Sequence, residues 1–220
     1  MMQRHKKIFA CAMLCMLTFM AAAQQRLVTE LPDGWKFYRG HMDDAYMPAL
    51  DDSGWEGVSI PHDWAIAGPF IPEGDGNTGK LPWKGEGWYR RWIDIPGDYR
   101  GMTVYLLFDG VMAFPEVYLN GEFAGRWDYG YNSFFLDVTG LIKAGEPNLL
   151  AVHANTRQHD SRWYPGAGIY RKVRMIATGP VHVAVWGTFV TSTLQDDGNA
   201  LLSIATEVNN ESNTVQAFLS

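Results

Sequence analysis

Residues 115–127 read PEVYLNGEFAGRW, and this stretch decides the fold class. Two short runs of aliphatic and aromatic residues flank the pair Asn120-Gly121. A two-residue type I′ turn needs positive φ at both central positions, which Asn and Gly tolerate, so this pair is the strongest local signal for a β-hairpin. The stretch therefore predicts two antiparallel strands, over residues 115–119 and 122–127.

Runs of the same kind continue on both sides of this hairpin, separated by Gly, Pro, Asn and Asp. No helical period persists for three turns after residue 23. The predicted strands cover residues 88–95, 103–108, 133–138, 148–155 and 169–177. Short strands at this spacing are typical of an antiparallel sandwich or barrel, so we expect an all-β protein.

A domain boundary is predicted at residues 178–180, Thr-Gly-Pro. Three further strands are predicted after it, over residues 182–191, 200–208 and 214–219. Three strands without disulfides bury too little surface to close a sandwich. Residues 180–220 therefore predict an incomplete second unit.

The first 23 residues have the layout of a secretory signal peptide. Basic residues come first, an apolar run follows over residues 8–20, and Ala21 to Ala23 end the segment. A run of about 13 apolar residues is shorter than the roughly 20 that a membrane-spanning helix needs. Cys11 and Cys15 raise the alternative of a lipoprotein, but neither follows a small residue at the end of the apolar run. We expect a secreted or periplasmic protein, with no membrane contact after cleavage.

The composition excludes several classes of function. The chain has 24 acidic and 18 basic residues, and cleavage would change the formal charge from −6 to −9 by removing three basic residues. An acidic chain without a basic face argues against nucleic-acid binding. Cleavage also removes both cysteines, so we expect no disulfide and no thiol chemistry. The five remaining histidines lack the spacing of a metal site, so no metal or cofactor is predicted.

Two local motifs resemble catalytic or phosphate-binding signatures without their full chemistry. Residues 74–80, GDGNTGK, match the start of a phosphate-binding loop, but Leu81 stands where Ser or Thr would hold magnesium. This segment is interpreted as a Gly-rich loop. The pair Asn210-Glu211 lies in a turn-like sequence that offers nothing to desolvate a carboxyl group, so it is interpreted as a turn.

Residues 159–171, HDSRWYPGAGIYR, form a polar, aromatic and Gly-rich loop between two predicted strands. Proteins hold sugars by covering C–H faces with flat rings and by bonding hydroxyls with charged groups. Aromatic residues in loops also simply pack against a sandwich, so composition alone leaves both interpretations open.

Several motifs in one order carry a family resemblance. They are DGWKF at 33–37, DDSGW at 51–55, VSIPHDW at 58–64, GWYRR at 87–91, FDGV at 108–111, VYLNGE at 117–122, GYNSF at 130–134, NLLAV at 148–152 and RWYPGAGIYR at 162–171. Together they resemble the N-terminal part of glycoside hydrolase family 2, which includes β-galactosidases, β-glucuronidases and β-mannosidases. The resemblance covers roughly residues 27–177.

The resemblance implies a jelly-roll, galactose-binding-like β-sandwich over residues 24–179, then an incomplete immunoglobulin-like sandwich over residues 180–220. It implies that both catalytic glutamates belong to a (β/α)8 barrel that is absent here. This chain would then have no catalytic residues and be inactive alone. The parent enzyme would be a retaining glycosidase, most like a β-galactosidase, that releases terminal non-reducing β-linked sugars.

The resemblance also implies a sugar contact from the loop at residues 160–163. Asp160 would accept hydrogen bonds from sugar hydroxyls, Arg162 would donate to the sugar or orient Asp160, and Trp163 would lie beside them. Residues 60–64 are expected to position the Gly-rich loop, and Trp35, Trp55, Trp88 and Phe108 are expected in the core. A free-standing carbohydrate-binding module and an adhesion domain without a sugar site remain as alternatives.

Overall fold

The computed structural model describes residues 26–215 as an all-β structure. The predicted leader of residues 1–23 and most of the last predicted strand, 214–219, lie outside the described residues. The strands, in chain order, are β1 Leu27–Glu30, β2 Trp35–Arg39, β3 Glu56–Val58, β4 Glu86–Asp94, β5 Thr103–Phe108, β6 Glu116–Leu119, β7 Glu122–Arg126, β8 Phe134–Asp137, β9 Pro147–Asn155, β10 Val173–Thr178, β11 Val181–Leu194 and β12 Ala200–Asn210. Short 3-10 turns cover Gly76–Thr78 and Gly97–Tyr99.

The first ten strands form two antiparallel sheets that face each other. One sheet has the order β1-β10-β5-β8, and the other has the order β3-β2-β4-β9-β6-β7. The predicted all-β sandwich is thereby confirmed. Strand β10 begins at Val173 instead of residue 169, because the N–H of Tyr170 bonds the Gly168 carbonyl and Arg171 lies in a bend.

The core lies between the two sheets and follows the alternation of strand side chains. Its inward-facing residues on the central strands are Tyr89 and Ile93 of β4, Val104, Leu106 and Phe108 of β5, Leu150, Val152 and Ala154 of β9, and Val173, Met175 and Ala177 of β10. Trp35 and Phe108 are buried there as predicted. Trp88 is also buried, but its ring stacks on His153 outside this core.

The hairpin predicted at Asn120-Gly121 is confirmed. Asn120 and Gly121 have φ values of +56° and +90°, and Leu119 pairs directly with Glu122 across the turn. The Asn120 side chain also donates to the carbonyl of Leu141 and accepts the peptide N–H of Leu149. The turn is therefore tied to the rest of the sheet as well as closing its own strands.

The outer face of the six-stranded sheet is covered by residues 41–55, and one buried cation holds this cover in place. The Arg90 side chain of β4 is 1% exposed and bonds Asp52 Oδ2 at 2.7 Å. Its guanidinium also donates to three main-chain carbonyls, those of Ala45, Met47 and Leu50. Planar guanidinium groups suit such multiple bonding, and Lys could not replace all four bonds.

Trp55 was predicted to be core, and this prediction is wrong. Its ring is only half-buried, because Trp55 belongs to the covering segment on the outer face. There it packs against Tyr38 at 5.3 Å between ring centroids, and the Arg90 guanidinium lies 5.7 Å from its ring.

We expect Arg90→Ala to lower the free energy of unfolding by about 3–5 kcal/mol, since Asp52 and three carbonyls would lose a buried donor. The measurement is urea unfolding followed by tryptophan fluorescence. Arg100→Ala is the control, because the exposed Arg100 makes only one long bond, to the Ala144 carbonyl. Equal effects of the two variants would contradict the anchoring role of Arg90.

Strands β11 and β12 form a separate two-stranded sheet whose base packs on the sandwich. His182 is buried, with Nε2 3.0 Å from the Tyr105 hydroxyl and Nδ1 2.9 Å from the Gly179 carbonyl. Trp186 meets Phe135 edge to face at 5.2 Å. Beyond Trp186 the hairpin leaves the sandwich and carries apolar side chains into solvent.

One face of this outer hairpin is apolar and exposed. Val190 pairs with Ile204 across the ladder, and the next positions on that face hold Leu202 and Leu194. These four side chains are 54–78% exposed. Uncovered apolar strands without charged or proline residues are templates for association.

We expect the purified chain to self-associate through this face, and Leu202→Lys combined with Ile204→Lys to reduce the association seen by sedimentation velocity. Thr191→Lys is the control, because Thr191 lies on the opposite face of the hairpin. Limited proteolysis should also cut residues 181–215 before the sandwich. If the hairpin resists protease as well as the sandwich does, its predicted vulnerability is wrong.

Candidate functional site

Four loops meet at one end of the sandwich, which we call the loop end: residues 60–85, 109–115, 127–133 and 156–171. Tyr170 donates from its hydroxyl to the Gly130 carbonyl, and Met112 forms a bridge with Gly168. The predicted sugar-contacting loop is therefore held between its neighbours at this end.

The central contact of the loop end joins strand β4 to Gly168. The Tyr89 ring is fully buried in the core, and its hydroxyl bonds Nδ1 of His62 at 2.8 Å. A Cβ on Gly168 would lie 2.1 Å from the Tyr89 oxygen and 3.1 Å from the His62 carbonyl. Glycine is therefore required by space as well as by its positive φ.

Residues 60–64 hold the 160–168 loop by main-chain bonds. The N–H of His62 donates to the Ile169 carbonyl at 2.8 Å, and the N–H of Trp64 donates to Ala167 at 3.1 Å. The Trp64 indole donates to the Trp83 carbonyl, three positions after the Gly-rich loop. The stretch predicted to position the Gly-rich loop thus mainly positions the loop that was predicted to contact sugar.

Asp63 strengthens this attachment through its carboxylate. The Tyr164 hydroxyl lies 2.7 Å from both carboxylate oxygens of Asp63, and Oδ1 also accepts the N–H of Ala65. Burial, reinforced by the Asp63 charge, raises the pKa of Tyr164, so this phenol stays protonated as a donor. Sequence reasoning missed the pair because 101 positions separate its members.

Asp160 is displayed at the surface with a lysine as its partner. Its side chain is 93% exposed, and Oδ1 lies 2.7 Å from Nζ of Lys84. The hydrogen bond from Lys84 and its charge lower the pKa of Asp160, which is therefore ionised and a hydrogen-bond acceptor. The expected orientation of Asp160 by Arg162 is not observed: within the described residues Lys84 is its charged partner, and Arg162 points to solvent.

Trp163 presents an exposed ring next to a tyrosine. The indole is 58% exposed and donates to the Tyr131 hydroxyl at 2.8 Å. Tyr129 meets Tyr131 edge to face at 5.6 Å, which extends the aromatic surface. Flat rings that keep a hydrogen-bonding edge in water suit a ligand with both C–H faces and hydroxyl groups.

A cleft of about 410 Å³ lies between the Gly-rich region and the predicted sugar loop. Its lining comprises Arg39, Ile71, Gly74, Asp75, Thr78, Leu81, Pro82, Trp83, Lys84, Asp160 and Ser161. The Lys80 ammonium donates to the Pro72 carbonyl, so the lysine that resembled a phosphate-binding residue closes its own loop. Lysine, carboxylate and hydroxyl groups around this cleft match the donors and acceptors of a sugar.

Asp160 lacks the environment that a general acid needs. A general acid at neutral pH needs a raised carboxyl pKa, whereas that of Asp160 is lowered.

Within residues 26–215, no group of three or more His, Cys, Asp or Glu side chains is placed to hold a metal ion. No helix in that range is long and apolar enough to cross a membrane. The fold and loop end together define a β-sandwich domain with polar and aromatic side chains exposed at one end.

Comparisons with known proteins agree with this class. Residues 49–179 match the family model for glycosyl hydrolases family 2, sugar binding domain, and the chain belongs to this family. It is 44% identical over 183 residues to beta-galactosidase BoGH2A of Bacteroides ovatus, and 32% identical over 197 residues to a putative beta-glucuronidase of Formosa agariphila. These alignments cover 82% and 89% of this chain.

A solved structure of a beta-glycosidase from Bacteroides vulgatus superimposes with a TM-score of 0.79 at 33% identity, covering 86% of this chain and 25% of that one. The alignments to the two curated relatives cover 21% and 19% of those proteins. The chain thus spans about a fifth of the length of the curated relatives it matches. The family resemblance and the sandwich fold predicted from sequence are confirmed.

Gly168→Ala should destabilise the chain by about 3 kcal/mol, through strain at positive φ and a clash with Tyr89. Urea unfolding gives the value, and Gly140→Ala is the control, because a Cβ there would meet nothing within 4 Å. Tyr89→Phe in the same chain should make the Gly168→Ala loss smaller, because the clashing oxygen is gone. Strictly additive losses would show that the Tyr89 hydroxyl is not the constraint.

The stability of the chain should fall as the pH drops below about 6.5, the ordinary pKa of a histidine. Burial lowers the pKa of His62, so the folded chain binds fewer protons than the unfolded chain below that pH. Stability is then full above the unfolded-state pKa and decreases towards the folded-state pKa. Burial also lowers the pKa of His159, which acts in the same direction.

Urea unfolding between pH 8 and pH 5 checks this expectation. His62→Gln should weaken the pH dependence, and adding His159→Gln should weaken it further, whatever the stability of each variant at pH 8. Identical pH slopes in the three proteins would contradict a lowered pKa of the half-buried His62.

Proposed function

We propose that this chain is the N-terminal part of an exported β-glycosidase, with a role in carbohydrate breakdown. Three side chains at the loop end carry the proposal: the Asp160–Lys84 pair offers an ionised acceptor and a donor, and Trp163, three positions after Asp160, offers an exposed ring. Membership of glycosyl hydrolases family 2 supports the glycosidase class. The leader-like residues 1–23 support export to the periplasm or the medium.

The proposed substrate is a terminal, non-reducing β-linked sugar, with a galactoside as first choice. The relative with the higher identity of the two compared is a β-galactosidase, whereas the other is a putative β-glucuronidase. In this proposal Asp160 accepts from sugar hydroxyls, Arg162 donates to the sugar, and Trp163 covers a C–H face.

The proposal assigns the sandwich to residues 24–179 and an immunoglobulin-like unit to residues 180–220. The retaining chemistry belongs to a barrel that the family places after these units. Retention needs two carboxyl groups about 5 Å apart, one of them protonated. The ionised, surface-displayed Asp160 does not meet that need, so the chain alone should bind but not hydrolyse.

A binding module without catalysis is the second candidate. Trp163 and Asp160 are both exposed in the described structure, so both are accessible to a sugar in solution. This observation favours direct binding by the chain itself, and tryptophan fluorescence with lactose would measure it. The two candidates differ in whether the complete gene product hydrolyses a glycosidic bond.

Assays of the complete gene product on 4-nitrophenyl β-galactoside and β-glucuronide test the first candidate. We expect the galactoside to be hydrolysed faster, and Asp160→Asn and Trp163→Ala each to lower kcat/KM about tenfold, equal to about 1.4 kcal/mol. Phe123→Ala is the control, since Phe123 is an exposed ring on β7 away from the loop. Unchanged kcat/KM in both site variants would contradict the proposal that Asp160 and Trp163 contact the sugar.

A further inference from the structure

A second cleft lies beside the one that Asp160 lines, and residues 157–161 border both. The His159 ring packs between Trp83 and Phe114, at 5.9 and 6.1 Å between ring centroids. Residues after His159 line the first cleft, whereas Arg157 and Gln158 line the second. The two clefts are therefore separate surfaces on either side of one anchored histidine.

The second cleft has a volume of about 430 Å³, and strand residues form much of its lining. Its lining comprises Phe114, Glu116, Arg126, His153, Asn155, Arg157 and Gln158. Four of these seven residues belong to β6, β7 and β9, which are neighbours in the six-stranded sheet. Side chains on paired strands are positioned more rigidly than side chains on loops, so this surface is preformed.

A buried carboxylate orders the charged groups of this cleft. Glu86 is 3% exposed, and its two oxygens lie 2.7 Å from Nη2 of Arg157 and 3.0 Å from Nε2 of His153. Nδ1 of His153 is in turn 3.8 Å from Oε2 of Glu116. Glu86 thus joins Arg157 to His153, and His153 in turn lies next to Glu116. These contacts place the charged groups of the cleft relative to one another.

Both arginines of the cleft have a carboxylate partner, which selects the class of ligand. Arg157 is paired with Glu86, and Arg126 donates two hydrogen bonds to Asp128. No uncompensated cation is therefore available for an anionic ligand among these lining groups. Asn155 Oδ1 accepts the N–H of Arg157, so Asn155 offers its amide N–H donors to a ligand, and Gln158 adds an amide donor and acceptor on the same cleft, as sugar hydroxyls require.

We propose that this cleft is a second carbohydrate site, which binds a neutral oligosaccharide. Phe114 supplies a ring for a C–H face, Gln158 and Asn155 bond hydroxyls, and Glu116 accepts from the sugar. The site shares Arg157 and Gln158 with the loop that carries Asp160 but does not include Asp160 itself, and it goes beyond the proposed role of Asp160 in holding a terminal sugar. A chain segment of a polysaccharide is the fitting ligand, because the cleft is open at the surface.

Nuclear magnetic resonance of the purified, 15N-labelled chain tests the proposal. The probes are cellotetraose, mannotetraose, xylotetraose and β-1,4-galactotetraose, with trigalacturonate as the anionic comparison. At least one neutral probe should shift the Arg126 Nε–H and the side-chain amides of Asn155 and Gln158 with a saturable dependence on concentration. Glu116→Gln combined with Gln158→Ala should weaken binding at least fivefold. The Gln158 side chain is exposed and that of Glu116 is 38% exposed, so the fold should survive.

Two further variants separate this site from the Asp160 loop. Arg100→Ala, at the opposite end of the sandwich, and Asp160→Asn should leave the cleft signals and their affinity unchanged. The proposal is overturned if no neutral probe shifts these signals, if only trigalacturonate does, or if the double variant binds like the unchanged chain. Shifts confined to Trp163 that vanish in Asp160→Asn would also overturn it, while leaving the function of the loop intact.

Discussion

The loop end depends on the close approach of the Tyr89 hydroxyl to the main chain at Gly168. The tyrosine stands in the middle of the core, and the glycine belongs to the loop that presents Asp160 and Trp163. No other residue type leaves room for the phenol oxygen at that position. The loop is thus held against a buried side chain of the sandwich core. His62 bonds the Tyr89 hydroxyl with its ring and the Ile169 carbonyl with its N–H, so it links residues 60–64 to both partners.

Under the proposed function, this constraint explains how an exposed carboxylate serves recognition. An isolated surface ion pair such as Asp160–Lys84 contributes little to stability, because solvent screens it. The position of Asp160 matters more than the strength of the pair. Asp160 belongs to a loop held by Tyr89, Asp63 and Tyr164, so a ligand that binds there has little of the loop left to order. Preorganisation of this kind favours affinity without demanding strong individual bonds.

The sequence predicted the fold better than it predicted the site. Turn chemistry at Asn120-Gly121 and the alternation of later strands are local signals, and the structure confirmed both. The partnerships at the loop end are not local: Lys84 reaches Asp160 across 76 positions. Two lysines near Gly-rich turns look alike in sequence, yet Lys80 closes its own loop and Lys84 meets the carboxylate. Only the packing of the β3–β4 connection against the β9–β10 connection distinguishes them.

Trp55 and Trp88 also show what the sequence could not predict, namely which face of the six-stranded sheet a tryptophan packs on. Both were expected in the core on aromatic character, but the six-stranded sheet has a second covered face, built by residues 41–55 around Arg90. A charged residue in the middle of a strand ordinarily predicts an exposed face, and here it organises a buried one. Because Glu86 and His153 lie on that same outer face, the covering segment also delimits the surface on which the second cleft opens. The two faces of one strand, β4, thereby serve the two clefts: Tyr89 fixes the loop of the first from inside the sandwich, and Glu86 orders the charges of the second from outside.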